Sequence, residues 1–333
     1  MDMQGVLDAI DSAIANETDR ISVEIDGVEL ELSHLSKPYF PRGKPGARVK
    51  GDLVRYCVNM SPWILPHFKD RPVVLTRYPG GAGTPGFYVQ RAPDARPRWV
   101  KTCTAMIKPP NRIVHLRIEN TATLIWLANL GAIELHPWYT RCSAPKKPDY
   151  LVIDLDPVEG VRFEKVRKAA FAVKAALDAW SVPAFVKTSG GTGLHLFVPI
   201  ERGPVQRDVL AIAREMCVAI AAKHPKLFTT EYRVANRPRG TVLLDFNQNS
   251  PGHTLAGAYC ARPTPSATVS MPLEWDDLAN GAVPKDFTLA TVPSLATKRE
   301  DPWDIRKLEG KRMDLVAWRR ANGARDLVGA LPR

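Results

Sequence analysis

Cysteine is scarce in this chain of 333 residues: the five, Cys57, Cys103, Cys142, Cys217 and Cys260, are widely spaced and never form Cys-x-x-Cys. That spacing speaks against a zinc site or a disulfide framework, so the thiols are expected to be reduced and either buried or incidental. No apolar run approaches the roughly 18 residues of a membrane-crossing helix, and no membrane partner is expected. The opening residues, Met1-Asp-Met-Gln-Gly-Val-Leu-Asp8, are acidic where a leader would be basic, which predicts a cytoplasmic location. Internal repeats and low-complexity segments are also missing, leaving ordinary globular packing. Negative charge is the minority, 35 Asp and Glu against 46 Lys and Arg, for a net +11. Such a balance suits a protein that handles polyanions.

Against that basic background, three acids stand in apolar runs. Asp154 and Asp156 lie in Tyr150-Leu-Val-Ile-Asp-Leu-Asp-Pro157, and Asp245 closes Thr241-Val-Leu-Leu-Asp245. Strand side chains alternate, so Asp154 and Asp156 share a face. Two like charges side by side in a buried strand are costly unless cations neutralise them. The residues thus predict a nucleotidyltransferase in which two Mg²⁺ or Mn²⁺ ions, held by carboxylates, clamp the attacking and leaving oxygens of phosphoryl transfer.

The order of elements between residues 150 and 246 predicts that these acids converge. Val166, Ala170, Val173, Leu177 and Trp180 have helical spacing. A strand is expected at 184–187, a turn through Thr188-Ser-Gly-Gly-Thr-Gly193, and a strand at 194–200. A second helix fits 205–224, with Val209, Ile212, Ala213, Met216 and Ile220 on its apolar face and a stop at Pro225. The series is β-α-β-β-α-β, the split pattern of ferredoxin-like and RNA-recognition folds. Its first strand lies between the third and the fourth, which would bring Asp154 and Asp156 beside both Asp245 and His195.

Upstream, the sequence reads as an α/β lobe packed on the catalytic sheet. An amphipathic helix around Val6, Leu7, Ile10 and Ile14 leads into two alternating runs joined by Asp26-Gly27, a hairpin signal. A basic Pro/Gly-rich loop follows, with Lys37, Arg42, Lys44, Arg48 and Lys50 able to grip phosphate just before a helix expected over 51–68. Phe87 and Tyr88, beside Arg77 and Arg91, could stack bases. A helix from Thr121 to about Leu130 and a strand through Glu134 to His136 complete the lobe. The expected organisation is 1–145 as this lobe, 146–290 as the RRM-like core and 291–333 as a helical tail, all in one polymerase domain.

Taken together, Tyr150–Pro157, Lys187-Thr-Ser-Gly-Gly-Thr-Gly-Leu-His-Leu196, Leu244-Asp-Phe-Asn-Gln-Asn249 and Gly131-Ala-Ile-Glu-Leu-His-Pro-Trp138 resemble the polymerase domain of bacterial DNA ligase D. That domain belongs to the archaeo-eukaryotic primase superfamily, and the similarity runs from about Leu35 through Trp275-Asp-Asp-Leu278. It implies an α+β primase fold and template-dependent addition of NTP or dNTP at DNA ends in non-homologous end joining. A ribonucleotide preference, two Mn²⁺ or Mg²⁺ ions, Ku and a separate DNA ligase as partners, and a nucleoid-associated place in the cytoplasm are implied with it. Residue by residue, the resemblance makes Asp154, Asp156 and Asp245 the metal-binding acids. His136, Ser189, Thr192, His195, Gln248 and Arg262 become nucleotide contacts. Lys37, Lys50 and Arg77 become contacts to DNA and to the 5′-phosphate across a gap, with Phe87 and Tyr88 near the template.

Two departures stand out. Thr192 takes the place of a lysine usual in Ser-Gly-Gly-x-Gly, and Ser36-Lys-Pro-Tyr-Phe-Pro41 replaces an Asp-Lys-x-Leu-Tyr-Pro pattern. No Lys-x-Asp-Gly occurs, so no residue is a candidate for the nucleotide-bearing lysine of an ATP-dependent ligase; a stand-alone polymerase, or a polymerase domain expressed alone, is expected, with its ligase in another protein or another part of a longer one. Two other classes use similar parts. A two-metal phosphodiesterase or nuclease could employ the same acids, and a non-catalytic nucleic-acid-binding module shares the split βαβ order but carries aromatics where this sheet carries acids.

Overall fold

Periodicity and turn chemistry account for most of the elements seen. The computed structural model describes residues 2–41, 49–108 and 111–326; Arg42, Lys44 and Arg48 lie outside them. The chain divides into two units, Met1–Pro137 with Ala256–Met271 and Pro284–Asp301, and Trp138–Leu255 with Pro272–Val283 and Pro302–Arg333.

In the first unit, helix α1 (Met3–Ala15) buries Val6, Ile10 and Ala13 and is capped by the Asp2 carboxylate, which accepts from Gly5 N. Strands β1 (Arg20–Ile25) and β2 (Val28–Ser33) pair antiparallel through Asp26-Gly27. Both turn residues have positive φ, 53° and 72°, the conformation a two-residue hairpin demands and which Asp-Gly tolerates. Helix α2 (Lys50–Phe68) follows. A five-stranded sheet is then built from β3 (Val73–Arg77), β4 (Phe87–Val89), β5 (Thr102–Lys108) and β6 (Asn111–Leu116), in the order β4-β3-β6-β5. Helix α3 (Thr121–Asn129) is capped by Asn120 and leads to β7 (Ala132–Pro137), which pairs with β3.

The second unit opens with a small hairpin, β8 (Thr140–Arg141) and β9 (Ala144–Pro148). Its main sheet contains β10 (Tyr150–Pro157), β11 (Phe185–Thr188), β12 (Leu194–Pro199), β13 (Phe228–Thr229), β14 (Val242–Asp245) and β15 (Pro272–Leu273), ordered β13-β14-β10-β12-β11-β15. The acid-bearing β10 therefore lies between β12 and β14, as the split βαβ reading expects. Helices α4 (Phe163–Ala179) and α5 (Gln206–Lys223) pack against β10. Their buried faces include all the residues chosen from spacing, and Trp180 beyond α4 is buried too. Ile153 and Leu155, fully buried, alternate along β10 with the partly exposed Asp154 and Asp156.

Cys57, Cys217 and Cys260 are buried thiols outside any disulfide, in keeping with the composition. Cys103 and Cys142 are disulfide-bonded, so the expectation of five reduced thiols fails at those two. Spacing along the chain rules metal motifs in or out, but it sets no limit on disulfides.

Candidate active site

Strand register creates the acidic centre of the second unit. Asp154 of β10 stands directly opposite Asp245 of β14 on one side and His195 of β12 on the other. Directly opposite residues on neighbouring strands point to the same face, so Asp154, Asp156, Asp245 and His195 share one face of the sheet. The His195 Nε2 lies 3.6 Å from Asp154 Oδ1. Burial holds the Tyr139 hydroxyl far above its ordinary range, and the negative charges of Asp154 and Asp245 add to that push. The Cys217 thiol is likewise raised by burial first and then by Asp245.

Asp156 and Asp245 take hydrogen bonds from within the unit. Arg237 Nη1 approaches Asp156 Oδ2 at 3.3 Å, while its Nε and Nη2 donate to the carbonyls of Glu231 and Tyr232 at 3.2 and 3.0 Å. Asp245 accepts from Asn247 N and from Gln248 Nε2, both at 2.9 Å. With the carboxylates turned this way, no three His, Cys, Asp or Glu side chains among the described residues are gathered to hold a metal ion. The donor set nevertheless fits a hard divalent cation: three carboxylates on two paired strands, one of them already drawing in a guanidinium.

The glycine-rich turn is built around Ser189, whose Oγ accepts from Gly191 N and Gly193 N, both at 3.1 Å. Thr192 is exposed on that turn. A Cβ on Gly193 would meet the Leu155 carbonyl oxygen at 2.4 Å, so only glycine lets the turn approach β10 this closely. Behind His195 lies Lys187, fully buried, with Nζ 2.7 Å from His195 Nδ1. The donor in this pair depends on the tautomer; a protonated Lys187 would donate to Nδ1 and leave the imidazole proton on Nε2, facing Asp154. Sequence reading gave Lys187, Arg237 and Asn249 no role. The register of β11 with β12, which sets Lys187 opposite His195, was the available signal for the first.

The remaining candidates belong to the first unit. A cleft of about 230 Å³ is lined by His34, Lys37, Tyr39, Lys50, Arg77 and Pro79 together with Asn129-Leu-Gly131. The Lys37 ammonium donates to Pro79 O at 2.7 Å and Lys50 to Ser33 O at 2.6 Å. Burial, then the charge of Lys37, pulls the Lys50 amine down to about 8. Arg77 donates to Leu130 O at 2.8 Å and lies over the Phe87 ring at 5.2 Å. Phe87 and Tyr88 are 46% and 57% exposed, which removes core packing as their explanation. His136, on β7, pairs with Val74 of β3. Arg262 reaches Glu134 at 3.1 Å, and that carboxylate also accepts from the Tyr78 hydroxyl at 2.7 Å.

The family described as LigD, primase-polymerase domain, matches residues 49–303. The chain belongs to this family. Among its relatives, the bifunctional non-homologous end joining protein LigD of Bacillus subtilis is 30% identical over 280 residues, 83% of this chain and 44% of that protein. The multifunctional LigD of Pseudomonas aeruginosa is 28% identical over 257 residues, 76% of this chain and 30% of its own length. The chain thus spans less than half of either relative. Among solved structures, the polymerase domain of Mycobacterium tuberculosis ligase D in complex with DNA superposes with a TM-score of 0.77 at 26% identity, covering 85% of this chain and 99% of that one. The α+β, primase-like fold is that of the LigD polymerase domain, and the chain is a nucleotidyltransferase of the primase-polymerase class.

Proposed function

We propose that this LigD primase-polymerase chain adds nucleotides to DNA ends, copying a template across short gaps in non-homologous end joining, with a preference for ribonucleotides. The observation that carries the reading is the register that sets Asp154 opposite both Asp245 and His195. Asp154, Asp156 and Asp245 would hold the divalent ions, two of Mn²⁺ or Mg²⁺. When bound, such ions would offset phosphate charge and favour ionisation of the attacking hydroxyl. The chain's own groups have separate tasks. His195, with its proton on Nε2, would donate to a phosphate oxygen of the triphosphate; Ser189 shapes the turn beneath it, and Thr192 and Gln248 lie beside these groups in sequence. His136 and Arg262 stay nucleotide candidates on the family resemblance.

The first unit's cleft suits a 5′-phosphate, because three cationic side chains converge on a small volume with a backbone carbonyl holding each of them in place. Phe87 and Tyr88, exposed beside Arg77, suit a template strand. Ku and a separate ligase are the proposed partners, and a nucleoid-associated place in the cytoplasm follows from the same reading.

The test is extension of a labelled primer across a short gap bearing a downstream 5′-phosphate, with ribo- or deoxyribonucleotides and Mn²⁺ or Mg²⁺. Template-matched addition is expected, with loss of at least a thousandfold in Asp154→Ala and Asp245→Ala proteins that still bind the DNA. Shortening of the DNA without added nucleotide would support the nuclease reading instead, and no reaction with DNA bound would support a binding module.

A further inference from the structure

Within the first unit, one buried acid has no task in the cleft or among the metal-binding carboxylates. Glu134 stands in the middle of β7, between Ile133 and Leu135, and is 8% exposed. A buried ion pair adds little net stability, because apolar side chains of similar volume commonly serve as well or better. Stability alone is therefore a poor reason for a carboxylate at this position.

Its two oxygens have different partners. Oε1 forms an ion pair with Arg262 Nη2 at 3.1 Å, and Oε2 accepts from the Tyr78 hydroxyl at 2.7 Å. Each partner is placed by its own backbone. The segment carrying Arg262 is fastened to β7 where Gly257 N donates to Leu135 O at 2.9 Å, and Arg262 N donates to Thr268 O at 2.8 Å. Tyr78 N donates to Gly131 O at 2.8 Å. A Cβ on Gly86 would meet the Tyr78 ring at 2.4 Å, so the chain entering β4 lies directly against that ring. Burial, and then the hydrogen bond to Glu134, raise the Tyr78 hydroxyl above its ordinary range, which keeps it a donor at neutral pH.

The guanidinium is held at one end. With Nη2 on Glu134 and Nε buried without a hydrogen-bond partner among the described residues, Nη1 is the nitrogen left to reach a ligand. A planar guanidinium gripped through one nitrogen has the direction of the others set with it. Glu134 and His136 are two apart on β7, opposite Thr76 and Val74 of β3, and so share a face. The Glu134 carboxylate thus draws Arg262 to the side of the strand that carries His136, the other nucleotide candidate of this unit.

We infer that Glu134 is a positioning residue for nucleotide binding: steadied by Tyr78, it fixes the plane of the Arg262 guanidinium so that Nη1 meets an oxygen of the nucleotide's phosphate chain. The inference rests on the reading of Arg262 as a nucleotide contact, and it adds the pair of side chains that aim it.

Replacing Glu134 with Gln would mix lost orientation with lost repulsion of phosphate, so the test uses variants that keep every charge. Glu134→Asp withdraws the carboxylate by one methylene, and Tyr78→Phe removes only the hydroxyl. In gap extension by the full chain, the nucleotide KM should rise roughly fivefold in Glu134→Asp and roughly threefold in Tyr78→Phe, with smaller changes in kcat. Fluorescence titration with methylanthraniloyl-ATP and Mn²⁺ should show losses of about the same size and reads binding apart from turnover. Arg262→Ala should weaken that binding by roughly tenfold, and in its background Glu134→Asp should add less than about twofold, because a residue acting through another has no effect once the other is gone. If Glu134→Asp fails to fold, the same cycle run with Tyr78→Phe decides. Unchanged affinity in both charge-preserving variants, or an undiminished loss with Arg262 already removed, would overturn the positioning role while leaving Arg262 a nucleotide contact. Unchanged affinity in Arg262→Ala would instead remove the nucleotide reading of Arg262, and the inference with it.

Discussion

At the scale of single residues, the site depends on groups whose charge is fixed by what surrounds them. Lys187 has no solvent exposure and sets its Nζ 2.7 Å from His195 Nδ1. Replacing it with Met keeps the length and apolar stem but leaves the imidazole free to exchange tautomers. Lys187→Met should raise the nucleotide KM by roughly tenfold, the size of one lost charge-assisted hydrogen bond. In ¹⁵N spectra of histidine-labelled protein, the His195 ring should change from one tautomer to a mixture; an unaltered ring signal would remove the positioning role. Lys50 offers a pH test. Its amine, lowered to about 8 by burial and by Lys37, is charged below that value and neutral above it. Preference for a 5′-phosphorylated gap should therefore decline as pH rises from 7 to 9, with the midpoint displaced upward in the complex because bound phosphate favours the charged amine. Lys50→Met should show a weaker preference and no such decline, as read by anisotropy against the unphosphorylated gap.

At the scale of elements, β10 is held on one side by an amide as well as by a strand. Strand β14 pairs with β10 only from Asp154 to Pro157, and two residues back, at Val152, the backbone on that edge would be unpaired. There the buried side chain of Asn249 accepts from Val152 N at 2.9 Å and donates to Val152 O at 2.7 Å, doing the work of a peptide group. Asn249→Ala should cost about 1–3 kcal/mol per polar group stranded without water, and Asn249→Asp should lose the donor while burying charge. Gly193→Ala forces a Cβ against the Leu155 carbonyl and should cost about 1–3 kcal/mol as strain. Urea denaturation checks all three, and an unchanged midpoint would mean that the turn or the clamp gives way freely. The same level decides what sequence can reveal. The βαββαβ order, both helix faces and the Asp-Gly hairpin were legible because their patterns are local and repeat. Asp154, Asp156, Asp245 and His195 were legible because chemistry-bearing residues interrupt apolar runs. The β5–β6 hairpin was not foreseen, and two-residue strands such as β8, β13 and β15 are too short to carry a period. Arg237 on Asp156 and Asn249 on Val152 bridge 81 and 97 residues, so no window of sequence contains either pair.

For the whole molecule, the net charge of +11 makes DNA affinity a function of salt. Each phosphate neutralised contributes a slope of about −0.9 in a log–log plot of affinity against salt. The three cations Lys37, Lys50 and Arg77 of the cleft would give about −2.7. Anisotropy between 50 and 200 mM salt reads the slope, and Lys37→Met/Lys50→Met should reduce its magnitude by about 1.8.

The position of β10 also bears on how the protein is made. Its pairing partners among the described residues, β12 and β14, both come later in the chain, β12 beginning at Leu194 and β14 at Val242. Nothing synthesised earlier can satisfy its edges, so on the ribosome Asp154 and Asp156 emerge on a strand that must wait some ninety residues for its second neighbour. Pairings of such long sequence separation form slowly and leave hydrophobic edges open meanwhile. Asp154 and Asp156 stand on the first strand of their sheet to be translated, and its second edge stays open until Asp245 arrives with β14.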